Sequence, residues 1–153
     1  MSEKTATRLL AALALSASLS ACASTGARVD EQPATRAAQQ AAQMVGKPYR
    51  YGGSAPSGFD CSGLVQFSYR QAGIRLPRST VEQRRASKPV RAENLRPGDL
   101  LFFDQEGKKN SHVGIYVGDG KFVHAPSSGK QVRSDRLDMP YWRKHLSEVR
   151  RIA

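Results

Sequence analysis

The stretch "HVGIYVGDGKFVHA", His112 to Ala125, restricts the topology of this chain more than any other. Two runs rich in β-branched and aromatic residues flank Gly118-Asp119-Gly120, which predicts a tight antiparallel hairpin. Side chains alternate faces along a strand, so His112, Gly114 and Tyr116 share one face, and Phe122 and His124 share one on the partner. With a three-residue loop at Gly118 to Gly120, Val117 faces Lys121 and Gly114 lies opposite His124. His112 is then a diagonal neighbour of His124, within roughly 7–8 Å backbone to backbone. Two imidazoles can meet above a glycine that leaves them room.

The first half of the chain has a different period. "TRAAQQAAQMVGKPY" reads as an alanine-rich helix that stops at Gly46, with Pro48 beyond it. "YRYGGSAPSGFD" is dense in glycine, proline and aromatics and reads as a shaped loop. In "CSGLVQFSYRQAG", Cys61, Leu64, Val65, Ser68 and Ala72 fall at helical spacing, with Asp60 as N-cap and Gly73 as stop. Ser79 and Glu82 form a capping-box pattern that predicts a second short helix. Beyond "LRPGD" the chain turns β-like: "LLFF", the hairpin, "QVRSDRL" and "EVRRIA" read as strands, and "MPYWRKHL" as a turn or short helix. Helices first and an antiparallel sheet afterwards give an α+β domain.

The two ends of the chain differ in kind. Lys4 and Arg8 precede an apolar run from Leu9 to Leu19, too short and too rich in small residues to span a membrane comfortably, and it reads as a signal peptide over residues 1–21. "LSAC", Leu19 to Cys22, resembles the bacterial lipobox, which implies cleavage before Cys22 and lipidation of its thiol. Residues 22–33 would then be a lipidated tether and residues 34–153 the folded domain, large enough for a real core. Ala23 after the cysteine implies outer-membrane sorting, with the domain facing the periplasm. The chain carries a net charge of +11, spread along its length. Export argues against nucleic acid as the partner; an anionic polymer or surface of the envelope fits instead.

With Cys22 lipidated, Cys61 has no intramolecular partner, and an exported protein that keeps a free thiol exposes it to oxidation. Its position at the mouth of a helix, where the N–H groups and dipole favour an anion, predicts a thiolate of lowered pKa. The hairpin offers a base and a third residue to hold that base's tautomer.

At these residues a family becomes recognisable. "YRYGGSAPSGFDCSGLVQFSY", "LPRST", "LRPGDLLFF", "HVGIYVGDGKFVHA" and "YW" in this order resemble the NlpC-type cell-wall endopeptidases, papain-like cysteine peptidases of bacteria, and particularly their short lipoprotein form. The resemblance implies an N-terminal set of helices packed on an antiparallel sheet. It implies Cys61 as nucleophile, His112 as base, His124 as the polar third residue and Tyr49 near the oxyanion site. Asp60 and Ser62 flank the thiol as helix-start residues and candidate substrate contacts. The implied substrate is a peptidoglycan stem peptide, cut at the cross-link between D-alanine and diaminopimelate, with the D-glutamate–diaminopimelate bond as the alternative. No metal or organic cofactor is needed, and no adaptor or regulatory protease is legible in the residues.

Two other classes compete. A zinc protein would use Cys61, His112 and His124 as ligands, but the paired short spacing of structural sites is missing, as is a glutamate beside a histidine. A non-catalytic wall-binding lipoprotein would not need all three side chains. His145, after "YWRK", reads as a surface or packing residue.

Overall fold

The computed structural model describes residues 32–153; the leader-like segment, the tether before it ends and Cys22 lie outside the described residues. Helix α1, Pro33–Gln43, begins two residues earlier than expected, because Pro33 occupies the first helical turn, where its missing N–H costs nothing. Its alanines 37, 38 and 41 are buried, and their small side chains let α1 lie close against α2. The loop that follows contains a small hairpin absent from the sequence reading, β1 (Ser54–Ala55) paired with β2 (Gly58–Phe59). Helix α2, Cys61–Gln71, and helix α3, Thr80–Arg85, start where their capping residues predict. Asp60 caps α2 through Gly63 N–H, and the Ser79 hydroxyl accepts from Glu82 N–H at the start of α3.

The remainder is a sheet. In chain order its strands are β3 (Lys88–Pro89), β4 (Leu100–Gln105), β5 (Lys108–Gly118), β6 (Lys121–His124), β7 (Arg133–Arg136) and β8 (Leu146–Arg151). They lie in the order β3-β8-β4-β5-β6-β7, and every pair is antiparallel. Helix α4, Pro140–His145, occupies the segment read as a turn or short helix. The architecture is the expected α+β arrangement, helices packed on an antiparallel sheet.

Both faces of the central strands are covered, which is why "LLFF" in β4 is a continuous apolar run rather than an alternating one. Leu100, Phe102, Val113, Ile115 and Val123 face Leu64, Val65 and Tyr69 of α2 and the alanines of α1. Leu101, Phe103, Phe122 and Val149 face Trp142 of α4 on the other side. At about 1.5–3 kcal/mol for each fully buried large side chain, these two layers supply most of the driving force for folding. Buried Asp99 fastens the start of β4 to β8: its carboxylate accepts from Arg151 Nε and Nη2, both at 2.7 Å, and from Arg96 N–H at 2.8 Å.

The hairpin forms, with a tighter turn than expected. Gly118 pairs with Lys121, so the loop has two residues, Asp119 and Gly120, at φ 53° and 70°. Positive φ at both central positions gives the turn the twist that flanking strands require. The register shifts between Tyr116 and Gly118, and Val117 bulges out to absorb the difference. Beyond the bulge Tyr116 faces Phe122 and Ile115 faces Val123. This is the expected register, so His112 and His124 keep their common face. The sequence reading also missed a second turn of the same hand, Glu106-Gly107 at φ 51° and 71°, which lets β5 begin at Lys108.

Candidate active site

Cys61 is the first residue of α2, so its backbone N–H has no acceptor within the helix. The loop before it is packed hard against the helix start: a Cβ on Gly63 would lie 1.9 Å from the Gly53 carbonyl oxygen, so only glycine fits. Asp60 holds this corner. Its Oδ1 accepts from Gly63 N–H at 2.7 Å, and its Oδ2 accepts from Gly52 N–H at 3.1 Å and Arg78 Nη2 at 2.6 Å. Arg78 Nη1 also donates to the Ser62 hydroxyl at 2.8 Å. Asp60 and Ser62 therefore share one guanidinium, and Arg78, in the quoted "LPRST", is a site residue that the sequence reading passed over.

The Cys61 sulfur lies 3.8 Å from the Thr80 hydroxyl of α3 and is addressed by the backbone N–H groups of Val113 and Ser62. Val113 follows His112 on β5, so the thiol lies against the strand that carries the histidine. The electrostatics differ from the expectation of a lowered thiol. Burial pushes Cys61 up, and the hydrogen bonds from Val113 and Thr80 only partly offset it, with the Asp60 carboxylate adding to the rise. The helix start is thus outweighed by desolvation in the resting site.

His112 and His124 meet as the shared face requires. His112 Nε2 and His124 Nδ1 are 2.8 Å apart, with the rings nearly perpendicular at 80°. Both are buried, at 3% and 0% exposure. Burial, followed by the second imidazole and Arg133, lowers His112 to about 3; burial lowers His124 to about 4 against the opposing pull of Asp135. Both rings are therefore neutral at pH 7, and so is the thiol. Among the described residues, no group of three or more His, Cys, Asp or Glu side chains is placed to hold a metal ion. Gly114 makes room in the first place for the Phe122 ring, which packs beside the imidazole of His124. A Cβ there would lie 2.7 Å from the Phe122 ring, and that ring packs beside His124 at 4.9 Å.

The hydrogen-bonded line continues past His124. Its Nε2 lies 2.9 Å from Asp135 Oδ2 on β7, and the same oxygen accepts from Arg133 Nε at 2.9 Å and Trp142 Nε1 at 3.2 Å. Burial opposes ionisation of Asp135, but His124 and Arg133 outweigh it and hold the carboxyl below its usual range. Trp142 also stacks along His112 and stands edge-on to His124. Asp135 and Trp142 were missed as site residues. The signal for Asp135 was present: once β7 is paired to β6, Arg133 faces His124 and Asp135 falls two residues along.

Tyr49 approaches from the loop, its backbone bridged to Phe59 and its N–H bonded to Lys130 O at 2.9 Å. Burial first and Cys61 second push its phenol up, so it stays protonated and able to donate. His145 is apart from this group, stacked on Tyr141 with Nδ1 2.7 Å from the Tyr141 carbonyl oxygen.

Residues 46–151 match the model of the NlpC/P60 family. The chain belongs to that family. Within NlpC/P60 it is 46% identical over 119 residues to "Murein DD-endopeptidase MepS/Murein LD-carboxypeptidase" of Escherichia coli (strain K12), covering 77% of this chain and 62% of that protein. It is 49% identical over 117 residues to "Bifunctional muramidase/DL-endopeptidase CwlT" of Bacillus subtilis (strain 168), covering 74% of this chain and 35% of that one. The chain thus spans about three-fifths and about one-third of these relatives. A crystal structure of an NlpC/P60 family protein from Bacillus cereus ATCC 10987 superposes with a TM-score of 0.71 at 34% identity, over 78% of this chain and 40% of that one.

Proposed function

We propose that this NlpC/P60 chain is a cysteine-type murein endopeptidase. The observation that carries the reading is the helix-start thiol of Cys61 held against β5, the strand of His112, together with the hydrogen-bonded imidazoles of His112 and His124. With thiol and imidazole both neutral at rest, His112 takes the thiol proton through Nδ1 as the sulfur attacks the amide carbonyl, its Nε2 being engaged with His124. The oxyanion is held by the Cys61 N–H, with the Tyr49 phenol as second donor. His112 next protonates the departing amine, then activates the water that hydrolyses the thioester and returns the thiol. None of these steps calls on a metal or organic group.

The bond favoured is the D-alanine–diaminopimelate cross-link, in keeping with the DD-endopeptidase name of the relative of which this chain covers the larger share. The DL-endopeptidase name of the second relative supports the alternative, the D-glutamate–diaminopimelate bond within one stem. Digestion of purified sacculi followed by mass identification of released muropeptides separates them. Conversion of cross-linked dimers to intact monomers is expected; stems shortened after D-glutamate would replace the first reading by the second, and no release would overturn both.

We propose also that the chain is anchored through lipidated Cys22 to the outer membrane, facing the periplasm. The support is the leader-like run and "LSAC" that follows it. Wild type is expected in the outer-membrane fraction and Cys22→Ser in the soluble periplasmic fraction; soluble wild-type protein would defeat the anchor.

A further inference from the structure

The base in this site has two tautomers, and only one of them works. His112 Nε2 is engaged with His124 Nδ1 at 2.8 Å, so the nitrogen left for the thiol is Nδ1. To accept a proton there, neutral His112 must carry its own hydrogen on Nε2 and donate it to a bare His124 Nδ1. His124 must then hold its hydrogen on Nε2. If His124 instead carries it on Nδ1, the shared bond reverses, His112 is protonated on Nδ1, and the thiol faces a donor. The His–His contact alone does not choose between these states, since each supplies one donor and one acceptor.

The choice is made one residue further on. We propose that Asp135 is a positioning residue that sets the tautomer of the base at second hand, by holding the hydrogen of His124 on Nε2. Asp135 Oδ2 lies 2.9 Å from His124 Nε2, and an ionised carboxylate can only accept, so the imidazole must donate to it. Two further donors, Arg133 Nε at 2.9 Å and Trp142 Nε1 at 3.2 Å, converge on the same oxygen and keep it an acceptor in a fixed place. They come from different elements, β7 and α4, so the oxygen is clamped from two sides. Trp142 also lies along His112 and edge-on to His124, which fixes the ring planes through which the two hydrogen bonds pass. The direction of every bond then follows: Asp135 accepts from His124, His124 accepts from His112, and His112 is left with a bare Nδ1, the lone pair that the endopeptidase reading needs for the thiol proton. When His112 takes the thiol proton, the same polarity favours the imidazolium, because its Nε2 hydrogen already points at an acceptor. No proton reaches Asp135.

This role rests on the endopeptidase reading for its kinetic consequence but not for its spectroscopic one. The test is the imidazole ¹⁵N spectrum of the soluble domain from residue 23 to the end, in which protonated and bare ring nitrogens are distinct, together with sacculus hydrolysis by the same samples. In wild type, His112 and His124 should both carry hydrogen on Nε2 and be bare on Nδ1. Asp135→Asn should keep that pattern and most of the activity, since Arg133 and Trp142 hold the amide oxygen in the acceptor position. Asp135→Ala should give mixed tautomers and lower kcat by about 10- to 100-fold with KM unchanged, because Asp135 touches no substrate. Should Asp135→Ala not fold, wild type and Asp135→Asn still decide. A wild-type His124 protonated on Nδ1 would overturn the proposal. So would an Asp135→Ala enzyme that loses activity while both tautomers stay as in wild type, which would make the residue merely structural. A wild type with the expected tautomers that releases nothing from sacculi would defeat the endopeptidase reading and leave the assignment of Asp135 standing.

Discussion

Cys61→Ala is expected to bring release of peptides from sacculi down to background, a loss of about 10⁴-fold or more, with the fold retained. The sulfur is the only heavy atom of this side chain beyond Cβ, and it packs at a helix mouth against the edge of one apolar layer rather than inside it. Removing it leaves both layers intact, and circular dichroism should match wild type. His112→Ala should be nearly as severe, since a thiol kept neutral by burial needs a base to take its proton. His124→Ala should be milder, because an orienting ring transfers no proton. Iodoacetamide should modify Cys61 slowly at neutral pH and faster as the pH rises, and substrate fragments should slow it. A Cys61→Ala protein that still releases peptides would end the mechanism.

Acid should destabilise the fold well above the carboxylate range. Free histidine takes a proton near 6.5, whereas the folded chain lowers His112 to about 3 and His124 to about 4. Between those values the unfolded chain binds more protons than the folded one, so stability is full above about pH 6.5 and is lost as the pH falls toward 4 and then 3. Each ring contributes up to about 1.4 kcal/mol per pH unit. Going from pH 7.5 to 5.5 should therefore cost about 2.5 kcal/mol, read from urea unfolding. The groups around the pair bear on this in both directions: Asp135 favours a charged His124, while Arg133 opposes charge on both rings. The lowered carboxyls of Asp135 and Glu148 add their own loss only as the pH falls through the ordinary carboxylate range, below this interval. A His112→Gln, His124→Gln double variant should lose most of the dependence. A wild-type curve flat from pH 7.5 to 5.5 would show that the rings already take protons in the folded state.

What could be read from the residues was whatever short-range geometry dictates. The Asp60 cap, the helix start at Cys61 and the common face of His112 and His124 each follow from a spacing of a few residues, and each is found in the structure. The bulge at Val117 leaves the expected register in place, because a two-residue loop plus one extra residue pairs the strands beyond it as a three-residue loop would. The thiol was misjudged for a different reason. A helix start is local and visible, whereas the desolvation that outweighs it arises from packing against α3 and β5, which only the tertiary structure brings together. Asp135 and Arg78 needed long-range pairing of the same kind, across β6–β7 and between the α2 start and the segment before α3.

The order of the sheet places β3 and β7 at its two margins. An incoming strand would find almost nothing to pair with at either. β3 is two residues long, and one of them, Pro89, offers no N–H. β7 carries Arg133, Asp135 and Arg136 in four residues, charges that an extra strand would have to strip of water. Self-association through the sheet is thereby discouraged at both ends, and one of the residues responsible is the carboxylate that faces His124. Resistance to aggregation and the polarity of the site are thus drawn in part from a single side chain.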